Sequence, residues 1–506
     1  MVLAVSASAL AQEPPARVPP DDPALPDRDA VDDSLRAQIR RAHAWRAAGR
    51  HERAVEAYRR AQGLLGLELL YGTSGRYFYD ESAAIHRGLA ESYLATGEPY
   101  AAAVEASRGV NVDETDGRSW TLLGLARYRL ADIDGAAEAL TRAAEVDRGD
   151  PDVAWGLGLV AAARNRLDRA REHGRRALAL ESDPRYALAL ARWSAAAGDH
   201  RAAAAELGAF LRGAPDDPRA EGYRNLRRFW ERIGDEPTSR IDPAVTRIQL
   251  NFDLKPGDEI PYVPVRIDDG EPVYVLLDTG AEHNVIDRAY ARGAGIRIWP
   301  GGRLHGAYRS SPGGYALVDR LALGSARVEH VPFAVGDFAA LNLRGQGEWY
   351  IAAVINPAIV LRDFLVILDY GHRRIEAIRY DAGGADYAAS RTRIRKTVTP
   401  FHFDANAVWP VVGSRIDGSR PLPLLADTGA SDLLIDRETA AALRIDPRRF
   451  SVEAGGRLET DLRGLLLDGQ PGETWGIDLE GILGFPFFRG KRVAFDYENM
   501  LLILED

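Results

Sequence analysis

Two aspartates stand in the same short phrase, Asp278-Thr279-Gly280-Ala281 and Asp427-Thr428-Gly429-Ala430. An apolar run enters each one, residues 273–277 before the first and 422–426 before the second. Eight positions after each aspartate an Ile-Asp-Arg begins, at Ile286 and at Ile435. Carboxylates delivered by matching loops can face each other across a pseudo-twofold axis. Two such groups cannot both ionise cheaply, so they share a proton, and one becomes a base while the other stays an acid. A pair in that state can activate a water molecule. One copy alone would read as a surface turn, because Asp, Thr and Gly are common turn residues. Two copies in equal frames point to a duplicated unit.

The surrounding elements repeat as well. Residues 264–272 and 411–421 both read as strand, Asp-Gly turn, strand, and both lead into an aspartate. Near the end of each half a strand closes in Asp-Tyr, residues 364–370 and 491–497. Further β-rich runs follow at 374–378 and 500–504. Two copies of one β fold in tandem account for all of this.

On these residues the stretch from about 245 to 506 resembles two retropepsin-like units of bacterial aspartyl proteases, fused in one chain as in pepsin-like enzymes. The resemblance implies lobes at 245–385 and 395–506, with Asp278 and Asp427 as the catalytic dyad. It implies that Thr279 and Thr428 cross-link the two loops, and that Gly280 and Gly429 let backbone amides approach the carboxylates. Ala281 and Ala430 complete the loops. A hydrophobic-hydrophobic-Gly element packs behind the loop in that family, and Ile482-Leu483-Gly484 matches it in the second unit. The first unit has Val354-Ile355-Asn356, a departure that puts its support geometry in question. The family also covers its cleft with a mobile hairpin. Tyr308, Gly313, Gly314 and Tyr315 are the candidate flap, with glycines to allow movement and an aromatic to contact substrate. Gly455-Gly456-Arg457-Leu458 is a shorter, weaker counterpart. An ordinary glycine-rich hairpin is the competing reading of both.

The first half has another texture. From about Leu35 to Pro218 alanine and leucine recur at helical spacing between short turns. Leu123-Gly124 and Leu157-Gly158, Ala136 and Ala170, and Ala143 and Ala177 each repeat at a period of 34 residues. That period, with small residues where helices cross, resembles the tetratricopeptide repeat. Leu89-Ala90 with Ala102, and Ala42 with Ala54, Tyr58 and Ala61, extend it to about five units, the first two separated by an insertion around 63–82. Asp150-Pro151 and Asp183-Pro184 divide units, since proline stops one helix before the next. The resemblance implies a solenoid over 35–235 whose groove binds peptides or partner proteins. A rigid spacer or an internal brace is the equal alternative. Residues 224–232, with Leu226, Phe229 and Trp230 on one face, read as a closing helix that caps the array.

Composition sets the limits. A chain of 506 residues exceeds one ordinary core, and 46% hydrophobic with 27% charged residues describes a soluble globular protein. Together with the two resemblances, the expected fold class is multidomain α + β, an N-terminal helical repeat solenoid followed by a mainly-β bilobal aspartic-protease-like domain. A net charge of −10 with mixed signs argues against nucleic acid as the main partner. No apolar run is long enough to span a membrane. Without cysteine there is no disulfide, thiolate metal site or cysteine nucleophile. The histidines are scattered, so no metal or other cofactor is expected. Residues 1–11 end in Ala-x-Ala after an apolar run, which reads as a signal peptide and predicts a periplasmic or secreted protein; 12–34 reads as a disordered linker.

These readings converge on an aspartic endopeptidase that hydrolyses peptide bonds through the Asp278/Asp427 dyad and an activated water. The repeats would recruit a protein substrate or partner, and one chain would suffice for the dyad. The alternative is a catalytically inactive protease-like scaffold that binds exported proteins or peptides, with Asn356 as its mark of decay.

Overall fold

The computed structural model describes residues 35–71, 78–255, 258–305, 310–339, 350–387, 389, 396–405, 407–467 and 476–506. The leader-like run 1–11, the linker 12–34, part of the 63–82 insertion and the flap candidate Tyr308 lie outside the described residues. Compactness divides the chain between Val160 and Ala161, within the helical half.

The first unit holds helices α1 (Leu35–Ala47), α2 (His51–Tyr71), α3 (Phe78–Thr96), α4 (Pro99–Val112), α5 (Gly117–Arg129) and α6 (Ile133–Val146), with most of α7 (Pro151–Ala163). Aspartates begin several of them. The side chain of Asp116 accepts from Arg118 N, that of Asp132 from Gly135 N and that of Asp150 from Asp152 N, satisfying amides that have no partner in the helix. The small residues of the 34-residue period are where the helices meet. Ala42, Ala54, Ala61, Ala90, Ala102, Ala136 and Ala143 have no exposed surface. A Cβ on Gly124 would lie 2.5 Å from Leu140 Cγ, so only glycine admits α6 at that distance. Polar ties join successive repeats: Arg118 donates to Asp152 at 2.6 Å and to Glu91 at 3.1 Å.

The second unit, 161–506, begins with helices α8 (Leu167–Leu180), α9 (Pro184–Ala196), α10 (His200–Gly213) and α11 (Ala220–Ile233) and continues into the β region. Asp183 caps α9 through Arg185 N, and Pro184 occupies its first turn. These helices are fastened to the strands. Trp193 Nε1 donates to Ala405 O at 2.9 Å, and Asn165 Nδ2 to Tyr497 O at 3.0 Å.

The β region is built of two similar lobes on a shared floor. That floor is six antiparallel strands in the order 396–404, 501–505, 492–496, 364–369, 374–379, 247–251, three from each lobe. Its midline is the pairing of Val366 with Phe495 and of Leu368 with Val493, which are the two strands that end in Asp-Tyr. One apolar core, including Phe364, Phe401, Leu483, Phe485 and Phe495, runs through both lobes. The turns before the entry strands also match. Asp268 and Asp269 have φ of 49° and 60°, and Asp417 and Gly418 have 48° and 72°, the left-handed pairs that two-residue hairpins require.

Candidate active site

The entry strands end at the aspartates because of a parallel pairing. Val273–Leu277 lies beside Ile351–Ile355, Leu277 opposite Ile355, and Asp278 N donates to Ile355 O at 3.0 Å. In the second lobe Leu422–Ala426 lies beside Gly481–Leu483, Ala426 opposite Leu483, and Asp427 N donates to Leu483 O at 2.9 Å. Ile482 and Leu483 are buried in this role. Beyond these bonds the chain turns, and the two loops meet.

They are locked to each other by four buried hydrogen bonds. Thr279 N donates to Thr428 Oγ1 at 3.1 Å, and Thr428 N to Thr279 Oγ1 at 3.0 Å. Each hydroxyl then donates onward at 2.7 Å, Thr279 to Ala426 O and Thr428 to Leu277 O. Exchanging the lobes leaves the pattern unchanged. A hydroxyl is needed at both positions, since it must accept and donate at once.

The glycines bring the carboxyls close. Gly280 N donates to Asp278 Oδ1 at 2.8 Å, and Gly429 N to Asp427 Oδ1 at 2.7 Å. A Cβ on Gly280 would stand 2.6 Å from Asp427 Cγ, and one on Gly429 2.3 Å from Asp278 Cγ. Each carboxyl therefore rests on the glycine of the opposite loop, a position that no other residue permits. Asp278 and Asp427 have no exposed surface, and their side chains lie within hydrogen-bonding reach of each other. Among the described residues, no N–H donor meets either Oδ2.

Electrostatics follow from that burial. Asp278 is pushed well above the ordinary carboxylate range, first by loss of water, then by the charge of Asp427, against the pull of the Gly280 and Ala281 amides. Asp427 is also raised by burial, opposed by its contact with Asp278 and by the Gly429 and Gly280 amides. The pair holds a proton as a unit, and neither group titrates independently. Such a pair offers a base and an acid side by side. Tyr370 packs behind it, fully buried against Phe252, Phe485 and Phe488, its hydroxyl raised by burial and by the charge of Asp427.

The repeated Ile-Asp-Arg has a structural task. Asp287 and Asp436 begin the short helices Arg288–Gly293 and Arg437–Leu443, accepting from Tyr290 N and Thr439 N. Two shallow depressions of about 510 and 530 Å³ lie beside these helices at equivalent places of the two lobes, and neither is lined by a residue of the aspartate loops.

Asn356 does not take left-handed backbone angles. Its φ and ψ are −93° and 119°, and the side chain is fully buried and fully used. Nδ2 donates to Ala281 O at 2.6 Å and to Thr279 O at 3.4 Å, while Oδ1 accepts from Ala358 N at 2.8 Å. Its backbone N donates to Asn284 Oδ1 at 2.9 Å. Gly484 in the second lobe is crowded instead, and a Cβ there would lie 2.1 Å from Asp432 O and 2.7 Å from Ala430 O. The first loop is thus supported by side-chain amides where the second is supported by close backbone packing. Asn284 was not among the residues singled out in the sequence. The duplication held its signal, since the corresponding place in the second copy is Leu433, buried and apolar.

The flap candidates separate. Gly313, Gly314 and Tyr315 lie within the strand Ser310–Leu323, which pairs with Trp299–His305, Gly314 opposite Pro300 and Tyr315 opposite Trp299. Gly314 there serves close packing, because its Cβ would lie 2.9 Å from Ile298 and 3.0 Å from Trp299 O. The Tyr315 ring, the aromatic of the candidate flap, is stacked on Phe229. In the second lobe Gly455 and Gly456, at φ of 59° and 81°, form the tight turn of a hairpin and leave Leu458 exposed.

Comparison with known proteins follows the same division. Residues 263–348 match the aspartyl protease family model and 121–187 match the tetratricopeptide repeat model. The chain therefore fuses an aspartyl protease-like domain to tetratricopeptide repeats. No curated protein matches it. Among solved structures, a thermophilic tetratricopeptide repeat protein of Thermus thermophilus is 22% identical, with 39% of this chain and 98% of that one covered at a TM-score of 0.31. Pseudomonas aeruginosa PilF is also 22% identical, over 39% of this chain and 84% of that one, at a TM-score of 0.31. No described helix is long and apolar enough to cross a membrane.

Proposed function

We propose that the β region is an aspartic endopeptidase acting on protein or peptide substrates, with Asp278 and Asp427 as its catalytic pair. One observation carries this reading: two buried carboxyls, each seated on the opposite loop's glycine and held by a symmetric threonine lock. The ionised member takes a proton from a water as that water attacks the scissile carbonyl carbon. The protonated member donates to the carbonyl oxygen, and the tetrahedral species then collapses as a proton passes to the leaving nitrogen. The water supplies one oxygen and both protons of the products, so no further reactant is needed. The tetratricopeptide repeats recruit the substrate or a partner to the domain, and the apolar N-terminal run directs the chain to the periplasm or beyond.

The test uses the full chain. Wild type, Asp278→Asn and Asp427→Asn are compared on a broad peptide library at mildly acidic and neutral pH. Each substitution is expected to lower kcat by roughly 10³-fold or more, with the double variant no worse than either, because the two groups act as one unit. Wild-type cleavage no greater than that of the variants would reject the peptidase and leave a peptide-binding scaffold.

A further inference from the structure

Helix α11 ends the helical array, and its apolar face does more than close it. Leu226 and Trp230 pack toward α9 and α10 with Phe210 and Leu207. Phe229, 4% exposed, turns the other way, onto the first-lobe hairpin formed by Trp299–His305 and Ser310–Leu323. Its ring stacks on Tyr315 at 5.1 Å and 16° and meets Trp299 at 5.6 Å. The Arg232 and Arg297 guanidinium groups lie over Trp299 at 5.3 and 5.2 Å.

The backbones are joined too. Asn225 Nδ2 donates to Gly301 O at 3.1 Å. Gly222 and Gly302 face each other so closely that a Cβ on Gly302 would lie 2.9 Å from Gly222 Cα. Two glycines facing each other across a helix–strand contact allow an approach that any side chain would prevent. The hairpin is in turn tied to the first aspartate loop. Tyr315 pairs with Ala334, and Ala334 N donates to Asn284 O at 2.8 Å, six residues past Asp278. Burial raises the Tyr315 hydroxyl first, and the charge of Glu282, nearer still to Asp278, adds to it. Arg288 adds a bond at 2.6 Å to Pro312 O.

We propose that α11 is a strut, with Phe229 its positioning residue, which sets the place of this hairpin beside the first aspartate loop and so determines how tightly a peptide is held. The proposal rests on the endopeptidase reading for its consequence, though not for the contact itself. Phe229 is buried beneath the hairpin, on Tyr315 and Trp299. It acts through Tyr315 and Trp299, so its loss should weaken binding more than chemistry.

The experiment uses the full chain, Phe229→Ala, the gentler Phe229→Leu and Asn225→Ala, and the ring-retaining Phe229→Tyr. Amide hydrogen exchange is followed in residues 299–305 and 312–318, with the floor strands 364–369 and 492–496 as the internal control. In Phe229→Ala, hairpin exchange is expected to rise about tenfold with the floor unchanged, since loss of local contacts lowers local opening free energy. KM on a cleaved library peptide should rise about tenfold with kcat within about threefold, and Phe229→Tyr should restore both. If Phe229→Ala fails to fold, Phe229→Leu and Asn225→Ala carry the same test with smaller shifts. Unchanged hairpin exchange overturns the strut, and so does faster exchange with unaltered KM. A wild type that cleaves nothing rejects the hydrolase reading alone, and the exchange measurement then decides the strut by itself.

Discussion

The two lobes support one loop geometry with different atoms. In the second lobe the carbonyl of Ala430 accepts from Phe485 N at 2.8 Å, directly after Gly484. In the first lobe the place after Asn356 is Pro357, which has no N–H to give. The equivalent carbonyl, that of Ala281, would be buried without a partner. The Asn356 side-chain amide supplies the missing donor. Asparagine is therefore the necessary companion of the proline, and its presence is compensation rather than decay. A substitution that breaks a family pattern has to be judged with its neighbour.

That comparison can be broken at its joints. Gly484→Ala should cost roughly 3 kcal/mol or more, because the new methyl meets backbone oxygens that cannot withdraw. Asn356→Gly should cost about 2–3 kcal/mol by stranding buried backbone groups. Adding Pro357→Ala to Asn356→Gly restores an N–H and should recover part of that loss. Urea denaturation of the four chains measures all of this. No recovery in the double variant would refute the compensation.

The threonine lock is where the lobes are most alike, so its two halves should fail alike. Thr279→Val and Thr428→Val each remove a donor and an acceptor while keeping the shape. Each should cost about 2 kcal/mol, and the pair together less than the sum, because they share partners. Unequal single losses would show that the lobes do not share the load equally.

The smallest effect concerns sign. Both aspartates are raised in the folded chain, so the native state binds protons more tightly than the unfolded one. Stability from that term is complete below the unfolded carboxylate pKa and is lost as pH rises through the raised values. Asp278→Asn should therefore stabilise the fold at neutral pH, on the order of 1 kcal/mol, and have no such benefit in acid. Asp427→Asn should act in the same direction, since the two carboxyls hold their proton as a pair. Melting temperatures at pH 3 and pH 7 give the answer. A variant no more stable than wild type at pH 7 would mean that the carboxyls are not under strain.

Much of this was legible in the chain. The repeated phrase places Thr279 and Thr428 149 residues apart, and duplication alone then demands two similar lobes. The 34-residue spacing of alanines predicted where helices cross, and those alanines have no exposed surface. Less legible were residues whose meaning depends on a distant partner. Asn284 looks like a loop asparagine until Asn356 is seen above it. Phe229 looks like the cap of an array, whereas its ring belongs to a hairpin some 70–86 residues further along the chain. Gly314 looks like a hinge and is a packing position.

The sequence by itself determined the two local grammars, helix repeat and β duplication, and the carboxyl-bearing loops, because periodicity, turn chemistry and repeated motifs act over a few residues. Only the tertiary structure decided that the carboxyls meet, that a proline's missing donor is replaced by an amide side chain, and that α11 rests on the first-lobe hairpin. Those outcomes depend on close packing between segments far apart in the chain, where differences of an ångström in backbone approach select the residue that fits.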